Sequence, residues 1–541
     1  MSWLKDLIAL TLIIGTLFGT TLGRYPLAAP DGARYAEIPR EMVATGDYLT
    51  PHLNYVKYFE KPPLFYWLQA ASIKAFGATD LAVSIVNALM ALGCCLLLYF
   101  TARKLGQRLH GIIASLILAT TSLVFALTRT ITLDMTFTFF CTGGLCFFLI
   151  ASQLPLGIKR SWYLWTMYIF IALAVMTKGL IGIVIPGIII LSYTAVLREW
   201  HKLKTYHYIS GFFIFCLITL PWHILVHLKN PEFSYFYFIE QHFLRYFTNY
   251  AGRSQQWWFL PVMLLGGLYP WTVFLPQAIR HNMQKNWRHH KPTIFLLLWP
   301  LVIYIFYTFS NSKLIPYILP MFPPLALLLS NYFAAFWYNK STRLSGFNAF
   351  FICNLGLSIG AIKAIFILNF NNETITKQNL YIVAIWLFIS AIMVIISYRR
   401  RGLPLGFTVL IITTSALWLY LSPIITIINK HSIKPLITTL QKTLTPTDEV
   451  ICYGAYYQDL PFYLQRRITV ANYAGELTFG MEHQNTKAWM IDSKTLQQRW
   501  QSKKRVYLIT RINEYHHLAP TLGKGQIIAK YLDDVLVVNN L

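Results

Sequence analysis

The sequence predicts a polytopic α-helical membrane protein with a small external α/β domain at its C-terminal end. Three observations carry that reading. Of the 541 residues 56% are hydrophobic and only 12% charged, whereas roughly a quarter of the residues in a soluble domain are charged. Apolar stretches of about the 20 residues that a helix needs to cross a bilayer recur from residue 7 to residue 425. Beyond residue 431 the hydrophobic runs shorten to strand length between polar turns.

Taken in order, the apolar stretches cover 7–23, 81–100, 110–128, 135–152, 163–177, 180–197 and 208–227, then 258–279, 293–309, 315–337, 347–370, 380–397 and 403–425. That makes about thirteen spans. The first follows Lys5 in the manner of a signal peptide but is expected to be a retained helix. Connections on one side hold Arg103, Lys104 and Arg108; Lys159 and Arg160; Arg198, Lys202 and Lys204; Arg280, Lys285, Arg288 and Lys291; Lys340 and Arg343; and Arg399 to Arg401. These are 17 basic residues against one acid, Glu199. Short connections on the other side carry only scattered cations. The bias puts the N-terminus in the cytoplasm and the long polar loop 24–80 outside, together with the C-terminal domain. It also accounts for the net charge of +25, so no nucleic-acid partner is expected.

The division expected is a transmembrane core, 1–430, and a domain, 431–541. In the latter, strands are expected at 450–455, 468–472 and 505–510, a hairpin at 527–538, and short helices at 460–465 and 496–501. Six of the seven cysteines lie within apolar stretches, so no disulfide framework is indicated. There is no P-loop and no GxGxxG motif, which removes support for a cytosolic nucleotide-sugar fold.

The polar loop 24–80 is the chemical centre of the sequence. Six of the 21 acidic residues lie between Asp31 and Asp80, alternating with Arg34, Arg40, Lys57 and Lys61. Functional residues concentrate on loops held by a rigid scaffold. The run PDGARYAEIPREMVATGDYLTPHLNYVKYFEKPPLFYW, with RYAEIPREM followed by YFEKP, resembles the first external loop of lipid-phosphate-sugar glycosyltransferases. These include the protein O-mannosyltransferases and, closer, the bacterial aminoarabinose transferases that modify lipid A. The run GAYYQDLPFYL at 454–464 resembles the latter as well. One departure is Asp31-Gly32, where the wider family has Asp-Glu.

The resemblance implies a fold of the GT-C type in the bacterial inner membrane, with its site on the periplasmic face. It implies an undecaprenyl-phosphate-linked sugar donor, with 4-amino-4-deoxy-L-arabinose favoured, and lipid A or another envelope molecule as acceptor, among membrane lipids. It implies that Asp31 is the loop's catalytic aspartate. It makes Lys61, Arg245 and Tyr317 phosphate ligands, places Lys178 and Lys313 at the site, and has Tyr35 and Tyr58 line the pocket. Lys313 and Tyr317 belong to a Ser-Lys-x-x-x-Tyr-x-x-Pro pattern that the family shares. No cofactor is required; a divalent ion shared by Glu60 and His242 is possible chemistry, though no clustered spacing compels it.

The residues leave alternatives beside these roles. Asp31 also suits the N-cap of a helix over 33–45. Asp134, the sole acid between Asp80 and Glu199, is a second catalytic candidate because ionisable groups at membrane depth default to function; it could instead pair with Arg129. If 238–247 is helical, Gln241 and Arg245 share a face. The same fold could transfer a hexose or another amino sugar, or use protein serine or threonine as acceptor. A lipid or glycan transporter is the rival class, but transporters show inverted repeats and midplane sites, and neither is visible.

Overall fold

The computed structural model describes residues 2–249, 252–283, 290–338, 344–367, 374–428 and 432–539. Four of the cations that set the expected orientation, Lys285, Arg288, Lys340 and Arg343, lie outside those residues. Helix α1 (Trp3–Gly19) is followed by the polar segment, which folds as α2 (Asp31–Thr45), a two-stranded hairpin of β1 (His52–Leu53) and β2 (Val56–Lys57), and α3 (Leu64–Phe76). The bundle continues with α4 (Asp80–Lys104), α5 (Arg108–Thr120), α6 (Ser122–Leu127), α7 (Leu133–Ser152), α8 (Ile158–Lys178), α9 (Ile181–Val196) and α10 (Tyr208–Lys229). A π-helical turn over Tyr235–Leu244 leads into α11 (Arg245–Phe247). Then come α12 (Phe259–Gly267), α13 (Leu275–Met283), α14 (Lys291–Thr308), α15 (Phe322–Phe336), α16 (Ser345–Ile367), α17 (Thr374–Arg401) and α18 (Leu403–Ile428).

The expected stretches are mainly helical, but they are not all alike. Among the described residues eight helices are long and apolar enough to cross a membrane; a ninth span arises if α12 and the segment Trp271–Met283, bent by 102°, count as one. Length and composition thus support fewer spans than the thirteen expected. The stretch 110–128 breaks at Thr121 into α5 and α6, α1 and α9 have 17 and 16 residues, and α8 has Lys159, Arg160 and Lys178 near its ends.

Two features of the bundle place the site. Helices α7 and α8 form a close antiparallel hairpin because Gly143 and Gly144 leave room for the facing helix. A Cβ at Gly143 would fall 2.1 Å from the Phe170 ring, and one at Gly144 would fall 3.0 Å from Ile171. The hairpin therefore brings the first turn of α7 beside the last residue of α8.

The second feature is α2, which is buried from Gly32 to Met42 although it carries Arg34, Glu37, Arg40 and Glu41. Two of these charges pair within the helix and a third takes a bond from the following hairpin. Arg40 donates two bonds of 2.6 Å to Glu37, and Glu41 accepts the Tyr55 N–H at 2.9 Å. Asp31 is the first helical residue, Pro30 precedes it, and no side-chain cap bond forms. The N-cap alternative for Asp31 is therefore incorrect.

The C-terminal domain comprises α19 (Lys434–Gln441), β3 (Glu449–Tyr453), α20 (Asp459–Leu464), β4 (Thr469–Ala471), α21 (Thr478–Glu482), β5 (Met490–Ile491), α22 (Ser493–Trp500), β6 (Val506–Arg511), α23 (Ile512–Leu522), β7 (Gln526–Tyr531) and β8 (Asp534–Val538). The sheet runs β5-β4-β3-β6-β8-β7, parallel over its first four strands and closed by an antiparallel hairpin. Strands β3, β4, β6 and β8 are buried on both faces, as their near-continuous apolar runs require, while the edge strand β7 is partly exposed.

This domain grips the polar segment. The β1–β2 turn has Asn54 and Tyr55 at φ 53° and 61°, the left-handed pair that a two-residue hairpin turn needs. Asn54 donates to the Ile468 carbonyl and accepts the Ile468 N–H, both at 2.9 Å. Gln484 makes a second reciprocal pair, accepting the Lys57 N–H at 3.1 Å and donating to the Tyr55 carbonyl at 3.0 Å. Gly480 lies so close that a Cβ there would meet the Lys57 carbonyl at 2.3 Å. The residues that follow the hairpin, 58–61, are thus held from both sides.

Candidate active site

A cavity of about 430 Å³ opens between the polar segment, the π-helical turn, the start of α9, the end of α14 and the segment 310–317 that follows it. Its walls are mostly apolar and aromatic, including Leu180, Val184, Phe243 and Phe306, and it draws in the side chains Lys61, Lys178, Arg245 and Tyr317. Four segments far apart in sequence thus deliver three cations and a phenol to one greasy pocket. A lipid bearing an anionic head is what such a pocket suits, because hydrocarbon fits the walls and the cations match the charge.

Each cation is placed differently. Lys61 follows Glu60 and precedes Pro62 and Pro63. Burial, with Arg245 and Lys178 nearby, outweighs the help of Glu60 and pushes its amine down to about 7. Arg245 donates to Gln241 Oε1 at 3.1 Å and lies 3.8 Å from Glu60, the i, i+4 pairing foreseen for this segment. Burial raises Glu60, yet Arg34, Lys61 and Arg245 together hold its carboxyl below the usual value. Lys178 pairs with Asp134 and lies 4.4 Å above the Tyr317 ring, which stacks on Tyr307 at 5.0 Å.

Asp134 therefore pairs with Lys178, and the alternative pairing with Arg129 is incorrect. Arg129 turns instead to the end of α1, donating to the Leu17 and Thr20 carbonyls at 3.2 and 3.0 Å and to Ser422 at 3.0 Å.

Not every candidate reaches the cavity. Lys313 is buried against the neighbouring loop, its amine on the Gln255 carbonyl at 3.1 Å; Ser310 and Ser312 line the cavity in that turn. Tyr35 packs edge-on to Phe65 at 5.9 Å and Tyr58 lies under Arg34 at 5.9 Å. Both belong to the packing core beneath the loop and not to the cavity lining.

The shared metal on Glu60 and His242 does not fit this geometry. His242 Nε2 accepts the Leu180 N–H at 3.2 Å and Nδ1 lies 2.6 Å from the Tyr237 carbonyl, so both ring nitrogens are engaged by main chain. Gly179, at φ 83°, allows this approach; a Cβ there would strike the ring. Burial, with Lys61 and Arg245, lowers the His242 ring to about 4 and keeps it neutral. Among the described residues no three His, Cys, Asp or Glu side chains gather as metal ligands.

Asp31 lies outside the cavity lining. Its side chain is 46% exposed and takes a bond from Arg34 at 3.1 Å. Arg34 bonds on its other side to Glu476 of the C-terminal domain, and Glu476 accepts from Gln458 at 2.8 Å. Glu476 was invisible to sequence reasoning, since nothing near it in the chain marks it; Gln458 lies in the run 454–464 that resembles the aminoarabinose transferases, but only the domain's docking brings the two here. Gly32 faces elsewhere. A Cβ on it would meet Ala28 at 3.4 Å and Ile131 at 3.8 Å, so an acid at this position would point toward the segment leading to Asp134.

The comparisons with known proteins agree with this geometry. Residues 21–237 match the family model described as dolichyl-phosphate-mannose-protein mannosyltransferase, and residues 436–539 match the aminoarabinose transferase C-terminal domain. An undecaprenyl phosphate-alpha-4-amino-4-deoxy-L-arabinose arabinosyl transferase of Proteus mirabilis is 30% identical over 388 residues, covering 70% of this chain and 67% of that protein. The chain belongs to the aminoarabinose transferase family. A relative of the same name from Aeromonas hydrophila is 34% identical over 315 residues, 57% of this chain; the match spans only 56% of that relative's length. The crystal structure of the aminoarabinose transferase ArnT from Cupriavidus metallidurans bound to undecaprenyl phosphate superposes with a TM-score of 0.84 at 26% identity, covering 100% of this chain and 99% of that one. The aminoarabinose transferase fold is thus shared over the whole length, and it is of the GT-C type.

Proposed function

We propose that this protein is an inverting glycosyltransferase that moves 4-amino-4-deoxy-L-arabinose from undecaprenyl phosphate to lipid A at the periplasmic face of the bacterial inner membrane. The observation that carries the proposal is the convergence of Lys61, Lys178, Arg245 and Tyr317 on one apolar cavity. The names of the relatives and the undecaprenyl phosphate bound by the Cupriavidus protein support the same donor.

In this reading the isoprenoid tail lies along the apolar walls and the phosphate meets Lys61 and Arg245. An oxygen of the acceptor attacks the anomeric carbon, the bond from that carbon to the phosphate oxygen breaks, and undecaprenyl phosphate leaves with the electron pair. Lys61 and Arg245 stabilise the charge that develops on it, the contribution that most lowers such a barrier. Tyr317 donates to the same phosphate. Lys178 is shared with Asp134, which tempers its charge and fixes its direction.

Asp31, exposed beside Arg34, faces the acceptor in this reading. A phosphate acceptor is already anionic and needs only orientation; a hydroxyl acceptor gives its proton to Asp31. The charge needed at the leaving group comes from the chain's own cations. The orientation with site and C-terminal domain outside is supported by the alternation of basic loops, and the division into a core, 1–430, and a domain, 431–541, by the fold on either side of that boundary.

The test is mass spectrometry of lipid A from cells with and without the active protein. Lipid A carrying an added aminopentose only in cells that contain the protein supports the proposal. Unchanged lipid A, with another glycan or a protein modified instead, contradicts it.

A further inference from the structure

We propose that Glu476 is a positioning residue for the transfer reaction, acting on Asp31 through Arg34; the proposal rests on the functional reading above. Arg34 is the hub. Its side chain is 9% exposed, and it reaches Asp31 with Nη1 and Glu476 with Nη2. The two carboxylates differ sharply in freedom. The Asp31 side chain is 46% exposed, whereas that of Glu476 is 12% exposed and is tied by Gln458 at 2.8 Å.

The main chain fixes Glu476 further. It lies in the helical turn Gly475–Leu477, with Leu477 fully buried and Gly475 at φ 50°, where a Cβ would collide with Tyr473. Glu476 is the fixed end of the array and Asp31 the free end.

A buried guanidinium needs a counter-charge. Glu476 supplies it from the C-terminal domain, which leaves Asp31 bonded to Arg34 through Oδ1 alone. Glu60 is held electrostatically by Arg34 together with Lys61 and Arg245, but the ion pairs that Arg34 makes are to Asp31 and Glu476. Without the Glu476 charge, Asp31 becomes the carboxylate that Arg34 must hold. The fork of the guanidinium favours two parallel bonds to one carboxylate, which turns both Asp31 oxygens inward and away from the acceptor. The C-terminal domain therefore does more than clamp the loop: it keeps the reactive carboxylate available.

The test uses purified full-length protein with synthetic undecaprenyl-phosphate aminoarabinose and lipid A. Glu476→Gln is expected to lower kcat about tenfold while the donor KM stays within about twofold, the pattern of a lost transition-state contribution. Glu476→Asp, which keeps the charge, is expected to recover most of that loss. Because Glu476 acts through Asp31, Asp31→Asn and Asp31→Asn/Glu476→Gln are expected to turn over at the same rate. A folded Glu476→Gln with full kcat overturns the proposal, as does a further large loss when it is added to Asp31→Asn. Should Glu476→Gln not accumulate, Gln458→Ala removes the second tether without touching the charge; a lowered kcat at constant KM supports the proposal and an unchanged kcat overturns it. Wild-type protein that transfers nothing from this donor overturns the functional reading itself, and is distinguished because the wild type is then as silent as the variants.

Discussion

Lys178 and Asp134 form an ion pair across the open end of the α7–α8 hairpin, 44 residues apart in the chain. The pair exists because Gly143 and Gly144 let the two helices approach, and it delivers a cation to the cavity wall with its direction already set. Both side chains are largely buried, 9% and 12% exposed. Breaking such a pair from one side leaves an uncompensated charge, at a cost of about 3–5 kcal/mol.

Lys178→Ala is accordingly expected to lower the thermal stability of the detergent-purified protein strongly, and Lys178→Ala/Asp134→Ala to recover part of it. The coupling should be about 1–3 kcal/mol. Thermal unfolding of the two single variants and the double variant checks this. Simple additivity of the two losses would show that the pair is not coupled.

Lys61 gives a pH prediction with a definite sign. Its amine is pushed down to about 7 in the free protein, and only the protonated form can hold the phosphate. Donor kcat/KM is therefore expected to be flat at low pH and to fall by about tenfold per unit above pH 7, as for loss of one required proton. Lys61→Arg, whose guanidinium keeps its proton, should abolish that fall even if it lowers the overall rate. A wild-type profile that stays flat to pH 9 would contradict the assignment.

How much of this could be read from residues alone depends on distance in the chain. The helices followed from apolar length and the C-terminal strands from short apolar runs, because both patterns are local. The Gln241–Arg245 contact was legible for the same reason, a spacing of four within one turn. The cavity's cations were foreseen through the family resemblance of their motifs, but their partners were not. Lys313 lies one pattern with Tyr317 and yet points the other way, since the turn that carries them is unwound at Ser310–Lys313 and the loop backbone at Gln255 captures the amine. Of the six acids in the polar segment, Glu37, Glu41, Asp47 and Asp80 are consumed in structure: on Arg40, on the Tyr55 N–H, on Lys229 at 2.7 Å and on Lys434 at 2.5 Å. Glu60 stays 3.8 Å from Arg245 of the cavity wall and Asp31 stays exposed beside Arg34, a sorting that depends on contacts up to 354 residues away. Glu476 belongs to the same class of long-range partner.

The orientation is open to a test without substrate. In a background with Cys216 and Cys353, the two half-buried cysteines, replaced by Ser, a cysteine at the exposed Asn485 should react with an impermeant thiol reagent in cells whose periplasm is accessible. One at the exposed Gln107, at the opposite end of α4 from Asp80, should react only after the inner membrane is opened. The reverse pattern would place the site in the cytoplasm.

Asp31 separates a catalytic role from a structural one, because it makes no cap bond for α2 to lose. Asp31→Asn should fold, insert and still bind undecaprenyl phosphate. For a hydroxyl acceptor, transfer should slow by at least about a hundredfold, the scale of losing an acid–base group. Steady-state rates with donor in excess check this, and a rate near that of the wild type would move the search for the essential carboxylate to Asp134.

The most direct test of the cavity as donor site is transfer by purified protein reconstituted with synthetic undecaprenyl-phosphate aminoarabinose and lipid A, in the wild type and in Lys61→Ala and Arg245→Ala. The expected result is lipid A heavier by one aminopentose with the wild type, and no detectable product with either variant at equal amounts of folded protein. Full transfer by both variants, or a wild type that leaves lipid A unchanged with this donor, would contradict it.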